Sequence, residues 1–246
     1  MVSAISVDAP CAVCGTQVPA LPWIVSTRPH LVKCDEHRST TMVLPDDATP
    51  PTAGEVFRRM IPADNRDATI EGIHDERLRA ALIEYARNPI APPGGRAYVV
   101  LGPAGTGKTG ALWAALAAAV DQGGVRPSEV LSGTEQSLVE PMGVQSKFTG
   151  RAASWAERLG RNKVVFVDDV GYAQFHDATS RMVVWKDLLD RVCAGSLTLL
   201  VSSNLETPKA LLDMLGPASA SRLHRLARPG VGGMFRAGGV DRRRTG

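Results

Sequence analysis

No apolar run in the 246 residues approaches the roughly 18 to 20 needed for a helix to cross a bilayer, so a membrane-spanning helix and a membrane partner are not expected. The N-terminus "MVSAISVDAP" lacks the basic and apolar regions of a secretory signal, which points to a cytoplasmic protein. Four cysteines are too few for a disulfide framework in a chain this long. Three of them crowd the first forty residues, an arrangement better suited to a metal, whereas Cys193 lies in a helical apolar pattern and reads as core. Internal repeats are also missing. Acidic residues nearly vanish from the C-terminus: between Arg222 and the end there are seven Arg and one acid, Asp241. That tail carries +6 of a total of +3, leaving −3 for the rest, and the asymmetry suits an acidic partner such as nucleic acid or a nucleotide phosphate, or simply a solvated tail.

What is present, 44% hydrophobic and 22% charged residues with 24 Gly and 17 Pro, fits one globular domain with a smaller appendage. Residues 1–44 form a cysteine-bearing head. The stretch "PDDATPPTAG" then breaks the chain, because its prolines and small residues sustain neither a helix nor a central strand. Residues 45–96 read as linker and helical lead-in, with Leu78, Leu82 and Tyr85 at helical spacing. Residues 97–246 alternate between strands and helices. "AYVVL", a weak "EVLSG", "KVVFVDD" and "LTLLVSS" are the predicted strands, and helices are predicted over 108–121, through "RAASWAERLG" and over about 178–194. Continuous apolar strands interleaved with helices argue for a parallel sheet covered on both faces.

Between the first strand and its helix stands "GPAGTGKT", which fits G-x-x-x-x-G-K-[ST] over Gly102, Pro103, Ala104, Gly105, Thr106, Gly107, Lys108 and Thr109. Glycines let consecutive N–H groups aim at phosphate oxygens, and the following helix adds its positive end. Lys108 would reach the β and γ phosphates of ATP, and the Thr109 hydroxyl would ligate Mg2+. The next acidic strand supplies Asp168 for Mg2+ and Asp169 to polarise the attacking water, since adjacent residues on a strand point to opposite sides. Asn204, closing "LLVSSN", would orient that water and sense the γ-phosphate. Arg222 in "SASRL" is the candidate arginine finger, offered to a neighbouring copy, with Arg225 and Arg228 as competitors and a surface salt bridge as the plain alternative. No N-K-x-D element supports guanine. Nor does a lid-like arginine cluster support a small-molecule kinase.

In the head, Cys11 and Cys14, then Cys34 and His37, form two pairs separated by nineteen residues. The spacing fits a tetrahedral zinc site in a segment too small to fold on core burial alone, with His30 able to replace His37. A closed four-ligand site has no open position for catalysis. The head is therefore a docking module for a partner, with direct DNA binding as the rival.

These motifs, together with "IPADNRDATIEGI" before the first strand and "GGMFRAGGVDRRR" after the arginine, resemble the DnaC/DnaI-type helicase loaders. That group is a compact branch of the AAA+ ATPases close to DnaA and to the transposition protein IstB, and the resemblance runs over about residues 60–243. It implies a five-stranded parallel sheet flanked by helices with a reduced lid, and ATP hydrolysis that governs loading of the replicative DNA helicase onto single-stranded DNA. It also implies self-association into an oligomer or filament, in a bacterial or phage-infected cell. Lys108, Asp168, Asp169, Asn204 and Arg222 would be the catalytic set. Single-strand contacts would fall near Lys147, Phe148 and Arg151, which a plain amphipathic helix and loop explain as well. An IstB-like transposition ATPase, or an ATP-gated adaptor with little hydrolysis, shares the same motifs.

Overall fold

The computed structural model describes residues 7–10, 17–20, 52–139, 159–160, 162–173 and 178–238. The chain divides into two units, Met1–Pro50 and Pro51–Gly246. In the first, strands β1 (Val7–Pro10) and β2 (Gln17–Ala20) pair antiparallel, with Val7 opposite Ala20 and Pro10 opposite Gln17.

The second unit begins with two helices. Thr52 and Glu55 form a reciprocal capping box that starts α1 (Ala53–Met60), and the Asp75 carboxylate accepts from the Leu78 N–H to start α2 (Glu76–Arg87). The sheet and its helices follow: β3 (Arg96–Leu101), α3 (Lys108–Asp121), β4 (Val130–Thr134), β5 (Val164–Val170), α4 (Ala178–Gly195), β6 (Thr198–Ser203), α5 (Pro208–Leu215), α6 (Pro217–Leu226) and β7 (Gly233–Arg236). A short π-helical turn, Glu135–Val139, leaves β4. The five strands lie in the order β4-β5-β6-β3-β7 and every pair is parallel. The four strands expected from sequence are all present, and α3 spans the residues expected of it. The fifth strand that the resemblance implies is β7, which the residue pattern does not locate because "GMFR" is short and glycine-led. The predicted helix through "RAASWAERLG" falls almost wholly outside the described residues.

The strands alternate between two apolar cores. Tyr98, Val100, Phe166 and Leu200 face α1, α2 and α3, while Val99, Leu101, Val165, Val167 and Val201 face α4, α5 and α6. All six residues of β3 and of β6 are buried, as a sheet covered on both faces requires. The lead-in helices belong to this core. Phe57 of α1 packs on Trp113 of α3, whose ring meets Phe166 of β5 edge-on at 5.0 Å. Arg96, only 5% exposed, lies against the rings of Tyr85 and Tyr98 and donates to the Thr198 hydroxyl at 3.1 Å, tying α2 to β3 and β6. Cys193 is a free, half-buried thiol against the second core. No helix among the described residues is long and apolar enough to cross a membrane.

If the lead-in is part of the sheet domain's core, Phe57→Ala should lower the stability of residues 51–246 by about 3–5 kcal/mol in one cooperative urea transition. A separate early transition, with the main midpoint unmoved, would show the lead-in to be an independent element.

Candidate functional site

The carboxyl ends of β3, β5 and β6 meet at one end of the sheet, where open parallel sheets place their ligand clefts. The loop after β3 turns there because its glycines allow it. Gly102 has φ 137, and a Cβ on it would lie 2.4 Å from the Ala237 carbonyl oxygen, so no other residue fits. Gly107, at φ 83, starts α3 without any side-chain cap, which leaves the first N–H groups of that helix facing the cleft. A glycine cradle backed by an uncapped helix start is shaped for a phosphate chain.

Lys108 is 5% exposed, and its Nζ donates to the Pro103 carbonyl at 2.7 Å and to Asn204 Oδ1 at 2.9 Å. The Asn204 amide in turn donates to Asp169 Oδ1 at 3.4 Å. A second chain of bonds runs beside it: the Thr109 hydroxyl donates to Asp168 Oδ1 at 2.8 Å, and the Ser202 hydroxyl donates to the same oxygen. Lys108, Thr109, Asp168, Asp169 and Asn204 are thus brought together as expected. Burial pushes the Asp168 carboxyl above its ordinary range, and the Ser202 and Thr109 hydrogen bonds partly offset this. Thr109 and Asp168 present hard oxygen donors side by side, which fits Mg2+.

The two acids are not separated by simple strand alternation. Val167 opposes Val201 and Val170 opposes Ser203, so Asp168 and Asp169 share Ser202 as their one partner across a β-bulge. Asp169 consequently takes the left-handed conformation, φ 52. Two buried hydroxyls fill the break. Ser202 Oγ accepts from the Asp169 N–H at 3.1 Å while donating to Asp168, and Ser203 Oγ donates to the Val170 carbonyl at 2.6 Å. Sequence reasoning noted only a small polar run here. The useful signal was two serines at the end of an otherwise apolar central strand, where an unpartnered hydroxyl would be costly.

The cleft, about 1140 Å³, has a wall that sequence reasoning left without a role: Asp64, Asn65, Asp67, Thr69 and His74, between α1 and α2, with Ala237 and Gly238 after β7. Arg222 is not in it. On α6 it donates to the Ala218 carbonyl at 2.8 Å and forms an ion pair with Asp190 of α4, and its hydrogen bond to that carboxylate holds the Asp190 carboxyl below its usual range. Arg225 and Arg228 are exposed. Among the described residues no group of three or more His, Cys, Asp or Glu is assembled as a metal site. The expected zinc ligands Cys11, Cys14, Cys34 and His37, with His30, lie outside those residues, as do Lys147, Phe148, Arg151 and the last arginines.

Among solved structures, the DnaC helicase loader superposes with a TM-score of 0.55 at 15% identity, over 72% of this chain and 100% of that one. A putative primosome component from Streptococcus pyogenes gives 0.54 at 18% identity, over 74% and 92%. The replication initiator DnaA bound to AMPPCP and single-stranded DNA gives 0.53 at 17%, over 70% of this chain and half of its own length. At such identities the likeness shows the fold alone. No curated protein matches the chain. The family described as "IstB-like ATP binding protein" matches residues 95–220, which is 126 of 246. The match takes in the glycine cradle, the acidic bulge and Asn204, and the chain belongs to the family of IstB-like ATP binding proteins.

Proposed function

We propose that the protein is an ATPase that loads the replicative DNA helicase onto single-stranded DNA. The observation that carries the ATPase part is the polar chain from Lys108 through Asn204 to Asp169, running beside the Thr109–Asp168–Ser202 chain. The N–H groups of the Gly102–Thr109 loop would hold the phosphates, and Lys108 would exchange its Pro103 carbonyl bond for phosphate oxygens. Thr109 and Asp168 would hold Mg2+, which supplies charge neutralisation at the phosphates when bound. Asp169 accepts the proton of the attacking water, and Asn204 orients that water against the γ-phosphate. Hydrolysis cleaves the bond from the β–γ bridging oxygen to the γ-phosphorus, leaving ADP and phosphate.

The loader part is supported by the superposition of 72% of this chain on the solved DnaC loader chain and by the likeness to a primosome component. On this reading Arg222 acts across an interface, leaving Asp190 to reach a neighbouring copy's phosphates, so turnover depends on assembly. Single-stranded DNA, which the DnaA relative carries, would meet Lys147, Phe148 and Arg151. The head is the helicase-docking module, with zinc on Cys11, Cys14, Cys34 and His37. Strands β1 and β2 flank the first two in sequence. A transposition accessory ATPase is the second reading, favoured by the family match itself.

Capture of replicative helicases by the tagged full-length protein, with and without ATP, tests the loader role. Nucleotide-dependent retention of the helicase is expected, whereas retention of a transposase with stimulation by double-stranded DNA alone would establish the second reading. Lys108→Ala should weaken Mg·ATP binding by roughly 1.5–3 kcal/mol, measured by calorimetry, because a charge-assisted phosphate contact is lost. Asp169→Asn should keep that affinity and slow single-turnover hydrolysis by roughly 100-fold or more. For Arg222→Ala, the half-buried pair with Asp190, still reached by solvent, predicts a stability change of about 1 kcal/mol, so loss of concentration-dependent turnover would report the interface and not unfolding. Intact cooperative turnover in that variant would remove Arg222 from the site.

A further inference from the structure

Glu135 is a carboxylate with no solvent exposure, at the start of the π-helical turn that leaves β4, and the ATP-site assignment does not use it. A buried charge persists only when it is paired and hydrogen-bonded. Its partners come from two other elements. Oε2 accepts from the Gly171 N–H at 2.8 Å, just past the end of β5, and Oε1 accepts from Trp185 Nε1 at 2.7 Å on α4. Arg181, one helical turn before Trp185, brings its Nε to 3.3 Å of Oε1 and an Nη to 3.5 Å of Oε2. One side chain therefore ties together the exits of β4 and β5 and the buried face of α4.

The place it grips matters. Asp169 and Gly171 are both left-handed, at φ 52 and φ 102, and the Tyr172 N–H closes the turn onto the Asp169 carbonyl at 3.2 Å. A non-glycine residue stays in that region only when its surroundings hold it there. Two clamps do so: Ser202 on the Asp169 N–H, and Glu135 on the Gly171 N–H two residues later. Asp168 is held differently, by Thr109 and Ser202, with no bond to the Glu135 cluster.

We propose that Glu135 is a positioning residue for hydrolysis: with Trp185 and Arg181 it fixes the Asp169–Gly171 turn, and so the carboxylate that handles the attacking water, while leaving nucleotide binding to other groups. The proposal rests on the ATPase reading above. It separates two properties that an ordinary core residue would move together. Without the Glu135 clamp, Asp169 relaxes toward extended backbone and its carboxylate leaves Asn204, while the cradle, Lys108, Thr109 and Asp168 keep their places.

In the full-length protein, Glu135→Gln is compared with wild type and Lys108→Ala for Mg·ATP affinity, single-turnover hydrolysis and amide exchange at Gly171. A glutamine can accept one of the two N–H bonds but sets its own NH2 against Arg181. Expected for Glu135→Gln is hydrolysis slowed roughly 10- to 100-fold, affinity within about twofold of wild type, and faster Gly171 exchange. Trp185→Phe, which removes one donor and keeps a ring in the core, should show the same split to a smaller degree, and it decides the matter if Glu135→Gln does not fold. Hydrolysis within about twofold of wild type, or affinity and hydrolysis falling together, overturns the proposal. If Lys108→Ala abolishes turnover while Glu135→Gln preserves it, only the positioning role fails. A wild-type protein that binds Mg·ATP and never hydrolyses it overturns the catalytic reading of Asp169 and this inference with it.

Discussion

The extra residue in β5, two acids facing the single Ser202 of β6, is the constraint on which the site depends. A regular parallel ladder would turn Asp168 and Asp169 to opposite faces of the sheet and send one of them into an apolar core. The bulge instead leaves both half-buried in the cleft with Thr109 and Asn204. Such a break interrupts the backbone ladder at the centre of the sheet, where stranded N–H and carbonyl groups are costly. Ser202 and Ser203 meet that cost from the neighbouring strand, so the β6 sequence is written partly for β5.

The resulting site has a division of labour. Thr109 and Lys108, at the start of α3, belong to the phosphate cradle and are fixed by a helix packed on α1 and α2. Asp169 and Gly171 belong to a turn fixed from the opposite core, through Glu135, Trp185 and Arg181. The sheet is the common wall between them. On the proposed reading, nucleotide binding and turnover would therefore be set from opposite faces of the domain.

Much of this was legible in the sequence. Gly102, Gly107, Lys108 and Thr109 follow from a motif whose spacing is dictated by phosphate geometry, and the runs "AYVVL", "VVFVDD" and "LTLLVSS" declare a two-faced sheet by lacking alternation. The bulge was hidden, because an extra residue in a strand leaves no composition signal and two adjacent acids read equally well as an unbroken strand end. β7 was hidden by its four residues, which depend on β3 for pairing more than on their own propensity. The cleft wall at Asp64–His74 was hidden as well, since only the fold brings it opposite the loop at Gly105 and Thr106. Glu135 gave no warning: a lone Glu after "LSGT" looks like surface until Trp185 and Arg181 arrive from fifty residues away.

The edge strand β7 has a bearing on how the protein is made. Ala237, directly after it, donates its N–H to the Leu101 carbonyl at 2.7 Å, and its own carbonyl lies where a side chain on Gly102 would have to go. The glycine motif is complete by residue 109, yet one side of its cradle is supplied by Ala237. During synthesis the glycine loop thus emerges well over a hundred residues before this neighbour, and a nascent chain lacks that side of the cleft until residue 237 has been made.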